Sequence, residues 1–279
     1  MKFRISSQET LKREDCLNME HSRKYLVIII SILANLSCAT SMYISKEDQQ
    51  QTTTIRRAYA NTHVVKLENE NYIMIDSGGY EQAPLLEKDL LSEGIDPKDI
   101  LAIVITHGHW DHAGGAKYFR DKYKIPVIAG WGDRKLFQKG HADKLCPTSM
   151  MARWRAMDDE TVSFSPPEVD FWIREDTNLQ DLIGVEGQLV PLPSHTEGSL
   201  AVIIGQQAFV GDLFRGSIFG NTPEVHFYIC NLVSNRNYIN QFLSRQASKV
   251  QSFFPGHFGP RFTRSEVTQA FINGNSIEP

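Results

Sequence analysis

The segment Thr106-His107-Gly108-His109-Trp110-Asp111-His112-Ala113-Gly114-Gly115 places three imidazoles and a carboxylate within six residues. Zinc takes both donor types, and a catalytic zinc keeps one position open for water. The spacing suits two metals better than one. Across the small Gly108 an extended chain points His107 and His109 the same way, whereas Asp111 and His112 begin a predicted helix and diverge. Two ligands therefore face each metal, and four ligands cannot complete two sites. Three further candidates lie at the ends of apolar runs: His195 after Leu189-Val190-Pro191-Leu192, Asp212 after Ala208-Phe209-Val210-Gly211, and His257 within Phe254-Pro255-Gly256-His257. Competing signatures are missing, namely a Gly-x-Ser-x-Gly elbow, a Gly-x-x-x-x-Gly-Lys-Ser/Thr phosphate loop and a His-Glu-x-x-His helix.

His-x-His-x-Asp-His followed in order by His195, Asp212 and Pro-Gly-His257 resembles the metallo-β-lactamase superfamily of metallohydrolases, especially its glyoxalase II-like branch. Ile75-Asp76-Ser77-Gly78 matches that superfamily's early aspartate motif, and the resemblance covers residues 55–272. It implies that His107, His109 and His195 hold one metal, that Asp111, His112 and His257 hold the other, and that Asp212 bridges them. Asp76 would brace the histidine loop without binding metal, since metal sites need outer partners to orient their ligands. The implied fold is α/β (α+β), a four-layer αββα sandwich. The implied cofactors are two divalent ions, zinc first, with iron or manganese as the other candidates.

The implied activity is hydrolysis of an ester, thioester, lactone or amide-type bond in a small molecule. A metal-bound hydroxide is the nucleophile and Asp111 the catalytic carboxylate that orients it. Two other activities fit the same letters. A persulfide dioxygenase would use a single iron on His107, His195 and Asp212, and a β-lactamase would use ligands at the positions of His107, His195 and His257, in a class that lacks a bridging aspartate equivalent to Asp212. Particular members are matched less well. Glyoxalase II grips glutathione with a carboxy-terminal helical domain, and only 22 residues follow His257 here. The lactonase tyrosine beyond the bridging aspartate is absent, since Leu213, Phe214 and Arg215 follow Asp212, and flavodiiron proteins carry glutamate where this chain has His109. An exported binding module without catalysis is the remaining class, though such modules usually lose ligands that this chain retains.

These side chains need a scaffold that delivers them to one edge. Leu101-Ala102-Ile103-Val104-Ile105 is a continuous aliphatic run, the pattern of a strand buried on both faces, and it ends at the motif. A hairpin is predicted over 62–67 and 72–75, with strands at 126–128, 188–191, 200–204 and 208–211. Helices are predicted over 81–91, 115–122, 238–248 and 264–272. With 279 residues and 41% hydrophobic composition the chain has ample material for one catalytic domain, expected over 55–279. A polar linker is expected over 40–54, on the strength of Lys46 to Thr54.

The amino end reads as a signal peptide over 1–39. Arg23 and Lys24 precede the apolar run Tyr25 to Ala34, too short to span a bilayer, and Met19 would make a conventional start. Export to the periplasm or medium follows, with cleavage after Ala39; lipidation at Cys38 is the one route to a membrane. Cys146 and Cys230 read as small core or loop residues, and a single disulfide between them stays open. A net charge of −4 without a dense Lys/Arg run argues against nucleic acid as partner. Trp131, Met150, Met151, Trp154, Phe164, Phe171 and Trp172 are either pocket wall or core, and His226 is a structural histidine or a neighbour of the metals.

Overall fold

Along the central strands, neighbouring residues belong alternately to two different cores, as a period of two requires when both faces of a sheet are covered. The computed structural model describes residues 42–47, 52–57, 59–259 and 261–273. A seven-stranded sheet runs in chain order through β1 (Met42–Glu47), β2 (Thr52–Arg57), β3 (Ala60–Lys66), β4 (Tyr72–Ile75), β5 (Ile100–Ile105), β6 (Val127–Gly130) and β7 (Phe171–Ile173). Its first four strands are antiparallel and its last four parallel, sharing β4. A second sheet is formed from β8 (Thr177–Asn178), β9 (Gln188–Pro191), β10 (Leu200–Ile204), β11 (Gln207–Gly211), β14 (Ser252–Pro255) and β15 (Phe262–Thr263), in the order β15-β14-β11-β10-β9-β8. Between them in sequence, β12 (Arg215–Gly216) and β13 (Pro223–Glu224) make a small ribbon.

Ile73, Ile75, Ala102, Val104 and Ile128 face Val202, Phe209 and Phe254 between the two sheets. The alternate residues Met74, Ile103, Ile105 and Val127 turn outward under the helices Ala83–Ser92 and Ala116–Tyr123, through Leu86, Leu90 and Phe119. On the far side Ala201, Ile203, Ala208, Val210 and Phe253 meet Ile239, Phe242 and Leu243 of the helix Leu232–Ser244, and Val267 of the helix Arg264–Thr268. Helix, sheet, sheet and helix are thus four layers, the αββα sandwich expected from the sequence.

One expectation fails. The segment expected as a linker, 40–54, instead supplies β1 and the start of β2, paired antiparallel from Met42↔Arg57 to Glu47↔Thr52. Thr52, Thr53 and Thr54 are polar in composition but β-branched, which favours strand, and they are buried because partners await them. Thr52 Oγ1 donates to Gln207 Oε1 at 2.8 Å, and Thr54 Oγ1 lies 2.9 Å from His63 Nδ1. The compact unit therefore starts at Met42, ahead of residue 55. The expected signal peptide, the Cys38 anchor and the start at Met19 lie outside the described residues. Among the described residues no helix is long and apolar enough to cross a membrane.

Smaller differences have local causes. The helix expected over 238–248 begins at Leu232, where the Asn231 side chain accepts from Ser234 N–H and caps it. The last helix passes at Gln269 into a π-helical turn reaching Asn273. An unforeseen helix, Met150–Asp159, buries Ala152 and Ala156 and turns Met150, Met151 and Trp154 to solvent, so these three are neither core nor pocket wall.

Phe209, fully buried and stacked on Phe254 at 4.8 Å, is the aromatic centre between the sheets. Phe209→Ala is expected to destabilise the fold by about 3–5 kcal/mol. A urea unfolding midpoint unchanged from the parent protein would contradict this packing.

Candidate metal centre

Strand polarity decides where the chemistry collects. β4 and β5 are parallel and end at Ile75 and Ile105, immediately before Asp76 and Thr106-His107. In the other sheet β9, β11 and β14 all run in one sense, because β10 is antiparallel to both β9 and β11 and β14 is parallel to β11. Their carboxyl ends release His195, Asp212 and His257 on a common edge. Backbone bonds tie the two edges together: Leu200 N–H donates to Thr106 O at 2.8 Å, and Asn61 N–H to Gly256 O at 2.7 Å. The approach is close enough to demand glycine twice. A Cβ on Gly211, at φ +49°, would lie 2.6 Å from Thr106 Oγ1, and one on Gly256 would lie 2.5 Å from Asp212 Oδ1.

The motif itself folds as its spacing requires. His109 is extended at φ −82°, ψ 153°, and the short helix Trp110–Ala113 then carries Asp111 and His112. His107 Nε2 lies 3.2 Å from His109 Nδ1, which lies 3.0 Å from His195 Nε2. His112 Nε2 lies 3.1 Å from His257 Nε2, and Asp111 Oδ2 is 3.5 Å from the same His257 atom. Asp212 sits between the groups, with Oδ2 at 3.5 Å from His107 Nε2 and 3.4 Å from His195 Nε2, and Oδ1 at 3.5 Å from His112 Nε2. All seven residues singled out as ligand candidates in the sequence therefore converge. His107, His109 and His195 form one set able to hold an ion, Asp111, His112 and His257 a second, and His107, His112 and Asp212 a third that joins them.

The outer nitrogens of these rings show which way the inner ones face. His195 Nδ1 meets the Tyr228 carbonyl at 2.7 Å, His257 Nδ1 the Tyr59 carbonyl at 2.9 Å, and His112 Nδ1 the Asp76 carboxylate at 2.8 Å. Those partners only accept, so each Nδ1 carries the proton and each Nε2 turns a lone pair inward. Asp212 Oδ1 is buried with no hydrogen-bond partner among the described residues. Converging lone pairs beside an orphaned carboxylate oxygen fit a divalent cation and little else. Burial holds His107 and His195 well below the ordinary imidazole value and brings His109 down to about 4. Burial opposes protonation of His112 too, yet Asp212, Asp111 and Asp76 together push it up to about 10, so these carboxylates draw positive charge toward the pocket.

Asp76 stands at φ +60°, where its Oδ1 accepts from Thr106 N–H at 2.7 Å and its Oδ2 from Thr106 Oγ1 at 2.8 Å. It thus fixes the start of the histidine loop while also holding His112. Asp133, which drew no attention in the sequence, does the same between loops. Its Oδ2 accepts from Gly108 N–H at 2.7 Å and Thr196 Oγ1 at 2.8 Å, and its Oδ1 from Gly198 N–H at 2.8 Å. Burial pushes its carboxyl up to about 6 against those three donors.

A polar rim also went unforeseen. Tyr59 stacks on His257 at 5.8 Å, the Arg155 guanidinium lies 4.5 Å above the Tyr59 ring, and Tyr228 OH donates to Asp159 Oδ2 at 2.6 Å. Cys146 and Cys230 are joined in a disulfide. It closes a short ribbon in which Ile229 N–H donates to Cys146 O at 3.0 Å and Thr148 N–H to Phe227 O at 2.8 Å. A cavity of about 550 Å³ reaches His109 and His195 and is walled by Trp131, Lys144, Glu197 and Tyr228. Of the seven aromatic and methionine residues left open as wall or core, Trp131 lines it, while Phe164 is core.

Comparison with known proteins agrees with this geometry. A family model described as the metallo-beta-lactamase superfamily matches residues 55–259. The chain belongs to that superfamily and is a metallohydrolase with a His/Asp metal-binding cluster. It is 25% identical over 168 residues to the hydroxyacylglutathione hydrolase GloC of Haemophilus influenzae, covering 57% of this chain and 68% of that protein. It is also 25% identical over 187 residues to the probable metallo-hydrolase MJ0888 of Methanocaldococcus jannaschii, covering 66% and 82%. Among solved structures it resembles BJP-1, a subclass B3 metallo-beta-lactamase of Bradyrhizobium japonicum, with a TM-score of 0.55, 18% identity and 80% of each chain covered. At that identity the likeness concerns the fold.

Asp133→Ala would leave two buried backbone N–H groups and one hydroxyl without their acceptor. At about 1–3 kcal/mol for each stranded group, a loss of at least ~3 kcal/mol is expected in chemical denaturation. A loss under 1 kcal/mol would show that water replaces the carboxylate.

Proposed function

We propose that the chain is a two-metal hydrolase, with zinc as the working cation, that cleaves an ester, thioester, lactone or amide-type bond of a small molecule. The observation that carries this is Asp212, a buried carboxylate between two histidine groups with one oxygen unpartnered. In this reading His107, His109 and His195 would hold one cation, Asp111, His112 and His257 the other, and Asp212 both. Two such cations, when bound, would lower the pKa of a water to about 7 and polarise the bond to be cleaved.

The chain's own residues divide the remaining work. Asp76 and Asp212 are almost wholly buried, whereas the Asp111 side chain is 14% exposed, so Asp111 is the carboxylate that can receive and align the proton of an attacking water. Tyr228 and Trp131, on the cavity wall, would orient the group that carries the scissile bond. The name of the Haemophilus influenzae relative favours acyl-group substrates within this range. No nucleic acid is invoked, in keeping with the net charge of −4.

Export completes the proposal. Arg23, Lys24 and the apolar run Tyr25 to Ala34 support it from the sequence, and the Cys146–Cys230 disulfide supports an oxidising compartment. Cleavage after Ala39 would spare β1, which begins at Met42. Amino-terminal sequencing and mass analysis of the protein from fractionated cells should find Thr40 first. A lipidated Cys38 would replace free export by anchoring, and an intact Met1 in the cytoplasm would overturn it.

Elemental analysis of the protein from Thr40 onward should find about two zinc ions per chain. The same preparation should hydrolyse members of an ester, thioester, lactone and β-lactam panel, with activity lost to a chelator and restored by zinc. One iron per chain with oxygen consumption on persulfides would replace the hydrolase by a dioxygenase. Asp111→Ala or His109→Ala should abolish turnover, by about 10²-fold or more, while far-UV circular dichroism stays that of the parent. Full turnover in either variant would sink the mechanism.

A further inference from the structure

His226 is the sixth imidazole in the cluster. It follows β13 on the disulfide-closed ribbon, is buried, and packs its ring against His195 and His257 with centroids 4.6 and 5.3 Å away. Its Nε2 lies 3.0 Å from Asp212 Oδ2, nearer than any of His107, His195 and His257, which approach the same oxygen at 3.3–3.5 Å. By proximity alone it would be an eighth ligand, and His195, Asp212 and His226 do form a group of metal-holding geometry.

The other ring nitrogen argues otherwise. His226 Nδ1 receives the backbone N–H of Tyr228 at 3.2 Å. A nitrogen facing a donor must offer a lone pair, so it carries no proton, and in a neutral imidazole the proton then sits on Nε2. A doubly protonated ring is excluded for the same reason. His112, His195 and His257 are arranged in the opposite sense, their Nδ1 atoms facing acceptors and their Nε2 atoms free to bind metal. The ribbon that orients His195 through the Tyr228 carbonyl thus orients His226 through the Tyr228 N–H, and gives the two rings opposite tautomers.

We propose that His226 is a positioning residue of the metal centre, a neutral N–H donor that holds Asp212 Oδ2 and fixes the bridging carboxylate without binding metal itself. Nε2 lies 3.0 Å from the oxygen without forming a hydrogen bond among the described residues, so the donation is proposed for the metal-loaded site. It is nonetheless the one contact in which Asp212 meets a ring whose tautomer obliges it to donate. Held there, the carboxylate keeps Oδ1 for a cation and cannot swing about its χ2 bond when the site is emptied and refilled. Outer partners of this kind are worth about 10–100-fold in metal affinity or activity. This inference rests on the two-metal reading above.

The test uses the full protein and has two arms. Long-range ¹⁵N–¹H correlation on histidine-labelled, zinc-loaded protein reads the tautomer directly, and His226 should show its proton on Nε2. A proton on Nδ1, or scalar coupling of His226 to ¹¹³Cd in the cadmium-substituted protein, would make it a ligand and overturn the proposal. In the second arm, zinc affinity is measured by chelator competition, with cobalt spectra alongside. His226→Gln, which can return an N–H to the Nε2 position, should stay close to the parent, whereas His226→Leu and His226→Ala should weaken zinc binding about 10–100-fold. Parent-like affinity in His226→Leu would reduce the residue to packing, and a loss in His226→Gln equal to that in His226→Ala would deny it the donor role. If a variant does not fold, the tautomer of the parent decides. Absence of metal binding in the parent protein would instead defeat the two-metal reading, which distinguishes that failure from this one.

Discussion

Everything near the centre follows from one constraint: imidazole lone pairs and carboxylates have been brought within about 3–4 Å of one another inside a protein, where water cannot screen them. His112 and His257 present nitrogens to each other at 3.1 Å, and Asp212 keeps a buried oxygen with no partner among the described residues. Such a cluster resists collapse only if each ring is held from behind. The holders are the carbonyls of Tyr59 and Tyr228 and the carboxylate of Asp76. Glycine at 211 and 256 lets the sheet edges close without collision. The fold is therefore best understood as a frame that prevents these groups from moving apart.

The same constraint explains which parts were legible in the sequence. Each of the seven ligand candidates follows an apolar run, because strands buried on both faces must be apolar and must end where polar chemistry begins. Run ends could therefore be read as site positions, and Asp76 with them. His226 follows no such run, and Asp133, three residues beyond the apolar strand β6, belongs to none of the motifs. His226 comes after the two-residue strand β13, and Asp133 closes a 3₁₀ turn, so neither left a periodic signal. A buried aspartate accepting three donors is invisible until the chain folds, since its donors lie 25, 63 and 65 residues away.

The amino-terminal strands were misread for a different reason. Threonine and glutamine look like linker by polarity, whereas β-branching makes threonine a good strand residue whenever its hydroxyl finds a partner. Here Gln207 and His63 are those partners. Polarity described the side chains, but the partners decided the outcome. The pairing of Cys146 with Cys230 was undecidable for a similar reason, since 84 residues separate them and the ribbon that joins them is made by backbone bonds.

That ribbon also bears on specificity. Tyr228 uses its carbonyl on His195, its N–H on His226 and its hydroxyl on Asp159 of the exposed helix Met150–Asp159. One residue thus couples the metal centre to the segment between β6 and β7, where Trp131 and Lys144 line the cavity. Loops can vary in length and composition without disturbing the sheets, whereas the ligands cannot move without losing the cluster. In the proposed hydrolase, substrate choice would therefore belong to residues 131–160 and to the ribbon, while the strand ends hold the metal-binding cluster. The disulfide lies where those two responsibilities meet, holding the cavity wall at the distance that the metal centre fixes.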